Sequence, residues 1–137
     1  MSRVYHGPLV GNDTLVEAAR SARANSYAPY SVYHVGAAVL GDDGQVYTGC
    51  NVENASYGLT VCAERTAIVK MVSSGCRRIE EVAVATRDGG TPCGMCLQTI
   101  LEFTDDPDGV RVWCVDEKGQ VSGYTLLQLL PQGFRLS

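Results

Sequence analysis

Two short stretches of this chain carry the residue types best suited to chemistry. They are Cys62-Ala63-Glu64-Arg65 and Pro92-Cys93-Gly94-Met95-Cys96. Cys62, Cys93 and Cys96 offer three thiolates, a ligand set for Zn2+, and three protein ligands leave a fourth tetrahedral position open for water. A metal at such a site lowers the pKa of that water toward neutrality. Glu64, two residues after Cys62, is a carboxylate placed to shuttle its protons. Three thiolates on one Zn2+ leave an excess of negative charge. Arg65, the next residue, is a cation able to offset it from outside the ligand set.

Local structure has to bring these groups together. Residues 63–72 hold no Gly or Pro and mostly good or tolerable helix formers, so a helix is expected over 62–73, closed by Gly75. Residues 96–103 read likewise. Both half-motifs then sit at the positive end of a helix, where a thiolate is stabilised. Glu64 shares a helical face with Ile68 and Met71, so it should be carried into the core and its pKa raised by desolvation. A closed structural zinc site would need a fourth ligand from His6, His34, Cys50, Cys76 or Cys114, and none of these lies in a second paired motif. A redox Cys-x-x-Cys pair would leave Glu64 unexplained.

The chain has 137 residues and six cysteines, with a net charge of −4 and 45% apolar residues. That length suits one domain spanning residues 1–137. No Lys/Arg run is present, which argues against a nucleic-acid footprint, and no apolar stretch reaches membrane-spanning length. Residues 1–11 lack a signal-peptide pattern and are expected to be a loosely held lead-in. Cysteines without such a signal suggest metal binding or free thiols in a cytoplasmic protein. Cys50, Cys76 and Cys114 read as small buried hydrophobes.

Thr14 and Glu17 form a capping-box pattern ahead of Leu15, Ala18, Ala19 and Ala22 at helical spacing. Strands are expected over 35–40 and 45–50, joined by the 41–44 hairpin turn. Residues 51–60 form an irregular stretch leading into Cys62, and their side chains should line the pocket. A buried strand over 82–86, a strand over 110–115, a turn at 116–119, a strand over 120–123 and a final short helix ending before Pro131 complete the chain. The alternation argues an α/β domain, a three-layer α-β-α sandwich around a five-stranded mixed sheet.

Cys62-x-Glu64 followed by Pro92-Cys93-x-x-Cys96 is the three-cysteine form of the zinc deaminase signature. With 27–31 (YAPYS), 35–38 (VGAA), 49–57 (GCNVENASY), 62–67 (CAERTA) and 129–134 (LLPQGF), the chain resembles the small homotetrameric cytidine deaminases over roughly residues 12–134. The resemblance implies Cys62, Cys93 and Cys96 as zinc ligands and Glu64 as the catalytic proton shuttle. It places Asn51 and Glu53 on the ribose hydroxyl, Tyr33 against the base and Ala63 among the substrate contacts. Arg65 would neutralise the thiolates, and Tyr57 and Phe134 would reach a neighbouring subunit's site. Two positions depart from the pattern: Tyr33 stands for the usual Phe, and Leu97 for an Arg after Cys96.

The implied reaction is hydrolytic deamination of cytidine and 2′-deoxycytidine to uridine and deoxyuridine with release of ammonia, in pyrimidine salvage. One rival is a deaminase of a modified cytosine nucleoside or of blasticidin S, against which the Asn51-x-Glu53 pair counts. Another is a polynucleotide editor, against which the acidic charge counts. A non-catalytic zinc scaffold would have no need of Glu64.

Overall fold

The computed structural model describes the backbone of Tyr5–Gly7 and residues 13–136. Six strands form one sheet: β1 (Tyr5–Gly7), β2 (Gly36–Gly41), β3 (Val46–Cys50), β4 (Ile79–Ala85), β5 (Arg111–Val115) and β6 (Val121–Thr125), in the order β1-β6-β5-β4-β2-β3. The helices are α1 (Asp13–Ala22), α2 (Ala63–Ser73), α3 (Gly94–Glu102) and the single turn α4 (Leu126–Leu129). Only β4 and β5 run parallel, and α3 supplies the crossover that a parallel pair requires. The other pairs are antiparallel, including the 116–119 hairpin between β5 and β6.

The strands alternate their side chains between two faces, and each face has its own core. Ala37, Val39, Val82, Val84, Val112 and Cys114 meet α2, α3 and α4 on one side. Ala38, Ala83, Ala85, Val115 and Val121 meet Leu15, Val16 and Ala19 of α1 on the other. This is the expected α-β-α layering around a mixed sheet, with β2–β6 as its five strands. The sixth strand was not expected. The backbone of Tyr5–Gly7 pairs with Val121–Gly123, because the outer edge of β6 offers unpaired N–H and C=O groups to any extended segment within reach. The rest of the expected lead-in, residues 1–4 and 8–11, lies outside the described residues. Among the described residues no helix is long and apolar enough to cross a membrane.

Thr14 is not a cap. Asp13 is already helical, so Thr14 lies in the first turn of α1. The reciprocal capping box occurs at α4, where the Thr125 hydroxyl accepts from the Gln128 N–H and the Gln128 side chain accepts from the Thr125 N–H. Cys76 and Cys114 are buried as expected, and burial pushes the Cys114 thiol up to about 12. Cys50 is only half-buried.

Helix α2 lies unusually close to β3, and Gly49 permits it. A Cβ at Gly49 would stand 2.5 Å from the Ala67 nitrogen and 2.7 Å from the Ala63 oxygen, both backbone atoms. Gly49→Ala must therefore push the helix that carries Glu64 away from the sheet. It is expected to cost about 1–3 kcal/mol, as overpacking does. Urea unfolding checks this, and an unchanged midpoint would contradict the close approach.

Candidate active site

The motif cysteines cap two helices. Cys62 is the N-cap of α2 and Cys93 the N-cap of α3, and neither side chain caps a backbone N–H of its own helix. Their sulfurs are therefore free to turn toward each other at the two positive helix ends. Helix α3 starts two residues earlier than expected, which puts Cys96 in its first turn. The Cys62 and Cys93 sulfurs are 4.0 Å apart and those of Cys93 and Cys96 3.5 Å apart. All three lie within 4.8 Å of one another. Around a tetrahedral Zn2+ with Zn–S bonds of about 2.3 Å, sulfurs stand about 3.8 Å apart. The two sides of 3.5 and 4.0 Å bracket that spacing, so the triangle has the size the ion needs, and among the described residues it is the only such cluster of His, Cys, Asp or Glu ligand atoms.

The electrostatics favour one thiolate at this spot, on Cys62. A hydrogen bond with Cys96, followed by the Arg65 guanidinium, pushes the Cys62 thiol down to about 5. Cys96 is pushed up, by that same bond and by burial. Arg65 Nη2 lies 3.6 Å from the Cys62 sulfur and donates to the Thr60 carbonyl at 3.3 Å. Arg65→Gln removes this charge and is expected to weaken zinc affinity about ten- to hundredfold, the usual cost of losing a group that supports metal ligands. Competition against a chromogenic chelator measures it, and an unchanged affinity would refute the compensating role. Leu97 is packed in the core beside α2, so the position expected to carry Arg brings no charge here.

Glu64 sits in the first turn of α2, 4% exposed. Burial, helped by the Cys62 charge, raises its carboxyl to about 7. It lines a cleft of about 720 Å³, mouth included, together with Cys62, Cys93, Tyr33, Asn51 and Glu53. Ala63, Val84 and Thr86 belong to the same lining. Metal ligands, a poised carboxylate and polar groups thus share one concave site.

Asn51 and Glu53 reach the cleft but also brace its wall. The Asn51 amide accepts from the Val35 N–H at 3.0 Å and donates to the Tyr33 carbonyl at 2.8 Å. The Glu53 carboxylate accepts from the Tyr30 and Ser31 N–H groups at 2.9 and 3.1 Å and from the Ser31 hydroxyl. The Ser31 hydroxyl leads the groups that hold the Glu53 carboxyl below its usual range. Tyr57 and Phe134 are not part of this lining. Tyr57 is 77% exposed and meets Tyr30 edge-on, with ring centroids 6.4 Å apart. Phe134 is 66% exposed, its backbone clasped by Gln98, which donates to its carbonyl at 2.7 Å and accepts from its N–H at 3.1 Å.

Sequence reasoning missed Asp88. Its carboxylate accepts from the Tyr33 hydroxyl at 2.6 Å. That bond and the Gly90 N–H hold the Asp88 carboxyl below its usual range, while burial and then Asp88 raise Tyr33. Residues 87–91 read from the sequence as a loop delivering Cys93, but nothing local connects it to Tyr33. Val32 was missed as well: it has φ +57°, a left-handed conformation that is uncommon for a β-branched residue.

Comparisons with known proteins agree with this geometry. The family profile described as cytidine and deoxycytidylate deaminase zinc-binding region matches residues 11–108. The chain is 42% identical over 124 residues to a cytidine deaminase of Sporosarcina psychrophila, covering 89% of this chain and 90% of that protein. It is 43% identical over 122 residues to one of Halalkalibacterium halodurans, covering 88% and 91%. Among solved structures, the cytidine deaminase of Burkholderia pseudomallei superposes with a TM-score of 0.83 at 42% identity, over 91% of this chain and all of that one. That of Mycobacterium tuberculosis gives 0.78 at 40% identity, over 93% and 99%.

Proposed function

We infer the function from one premise: this chain belongs to the cytidine and deoxycytidylate deaminase family. It is a zinc-dependent cytidine deaminase, which converts cytidine and water to uridine and ammonia. The observation that carries this reading is the triangle of sulfurs, two of whose cysteines line the same cleft as a buried carboxylate poised near 7.

In this reading Cys62, Cys93 and Cys96 hold the zinc. When bound, the ion supplies a Lewis acid at which water becomes acidic. Glu64 takes a proton from the attacking water and passes it to the ring nitrogen, then takes the second from the hydroxyl added to the ring carbon and delivers it to the departing amine. A carboxyl with a pKa near neutral suits this cycle, because it both accepts and returns a proton at working pH. Asn51 and Glu53 supply an amide and a carboxylate to a sugar hydroxyl. Tyr33 packs on the base, and Ala63 lies against the substrate beside Glu64.

The finer parts belong to the same proposal. Deoxycytidine shares the reacting ring and is a second substrate. The enzyme works in the cytoplasm on free nucleosides in pyrimidine salvage, as a homotetramer whose Tyr57 and Phe134 reach a neighbour's cleft. Their exposure, with Tyr27, Tyr30 and Leu59 also more than half exposed, supports a covered surface. Light scattering at several concentrations tests the tetramer, and a monomer throughout would refute it. The activity is tested with cytidine, deoxycytidine, cytosine and blasticidin S run in parallel. Turnover of the two nucleosides is expected. Turnover of blasticidin S alone would overturn the substrate assignment.

A further inference from the structure

Two loops that line the cleft come from distant parts of the chain. One spans residues 28–34 and carries Tyr33. The other spans residues 86–91, follows β4 and leads through Pro92 to the zinc ligand Cys93. The Tyr33 hydroxyl donates to the Asp88 carboxylate at 2.6 Å across 55 residues. Arg87 lies over the same ring, its Cζ 5.3 Å from the centroid.

Each loop is held in shape behind this contact. In the first, the Val32 N–H donates to the Ala28 carbonyl at 3.0 Å. Val32 then takes its left-handed turn, and the Tyr33 carbonyl accepts from Asn51. Residues rarely hold such a backbone conformation unless their surroundings fix it. In the second, the Thr86 hydroxyl accepts from the Gly89 and Gly90 N–H groups at 2.7 and 3.1 Å and donates to Asp88 at 3.2 Å. The Gly90 N–H also donates to Asp88 at 3.2 Å. Tyr33, Thr86, Gly90 and Thr91 all line the cleft. The bond between the loops thus joins two prepared surfaces.

We propose that the Tyr33–Asp88 hydrogen bond is a latch between the two loops, making Tyr33 and Asp88 positioning residues that set the nucleoside pocket before substrate arrives. The bond requires a hydroxyl, which a phenylalanine at this position lacks. It also occupies that hydroxyl with Asp88, so the extra polarity is satisfied within the wall of the cleft. A wall already in place spares the substrate the ordering of two loops, and the benefit should appear in binding. Cys93 lies just beyond the second loop, but α2 and α3, which carry Glu64 and the sulfurs, are anchored by their own buried faces, so the chemical step should be affected less than binding.

The proposal rests on the deaminase reading, so cytidine turnover by the unaltered zinc-loaded protein is measured first. Tyr33→Phe and Asp88→Ala should each raise KM for cytidine about fivefold, the scale of one lost hydrogen bond to a charged group at an exposed site, with kcat held within about twofold. Asp88→Asn keeps an acceptor oxygen and should stay within about twofold of the unaltered enzyme. The double variant Tyr33→Phe/Asp88→Ala should be no worse than either single one, since both remove the same bond. Hydrogen exchange at the amides of residues 86–91, read without substrate, should quicken in both single variants. Additive effects in the double variant, a fall in kcat with KM unchanged, or unaltered exchange would each overturn the latch. If the unaltered protein fails to turn over cytidine, the functional reading falls, and exchange alone then decides the latch.

Discussion

Glu64→Gln is expected to leave zinc in place and to lower cytidine turnover by about a hundred- to ten-thousandfold, the range a general acid–base residue supplies. Glutamine has nearly the same shape, so the first turn of α2 should hold and the three sulfurs should keep their positions. What disappears is proton transfer, because an amide neither takes the proton of the attacking water nor returns one to the amine. The environment of Glu64 sharpens the expectation. At 4% exposure, with burial raising its carboxyl to about 7, little bulk water is at hand to act in its place. Zinc content by atomic emission and steady-state turnover on the same sample separate loss of chemistry from loss of metal. A zinc-loaded Glu64→Gln protein with normal turnover would rule out Glu64 as the shuttle.

Cys96→Ala is expected to act through the metal instead. Cys96 is fully buried in the first turn of α3, and its sulfur closes the triangle. Without it two thiolates remain, and zinc affinity should fall about a thousandfold if the binding free energy is shared among the ligands. Deamination should disappear with the metal. Because zinc binding stabilises the folded chain by mass action, the variant should also melt below the zinc-loaded protein and close to the unaltered protein stripped by a chelator. Retention of stoichiometric zinc by Cys96→Ala would show that the metal is held elsewhere.

The reacting groups were legible in the sequence because their spacing is local. Cys62 to Glu64 and Cys93 to Cys96 each fall within one helical turn, where residue separation fixes geometry. The sheet was legible for a similar reason: apolar strands punctuated by Gly and Asp turns announce themselves over a few residues. Three features were hidden. The three residues of β1 carry no usable periodicity, and their pairing depends on an edge made more than a hundred residues later. Asn51 and Glu53 were read as substrate contacts alone, yet both also hold the backbone of the loop that bears Tyr33. The Tyr33–Asp88 bond joins residues whose proximity exists only once β2 and β4 have paired. Contacts of that kind follow from topology, and single-sequence patterns do not encode them. Leu97 is the converse case. Its departure from the resemblance looked like a missing charge at the metal, whereas in the fold it fills the core.

The central claim is that these residues deaminate cytidine hydrolytically. Its most direct test follows cytidine loss and ammonia release together, on the zinc-loaded protein and on Glu64→Gln at matched zinc content. Equal amounts of cytidine consumed and ammonia released by the unaltered protein, with almost none from the variant, is the predicted result. Folded, zinc-loaded protein that releases no ammonia from cytidine would contradict it, as would equal release by the variant.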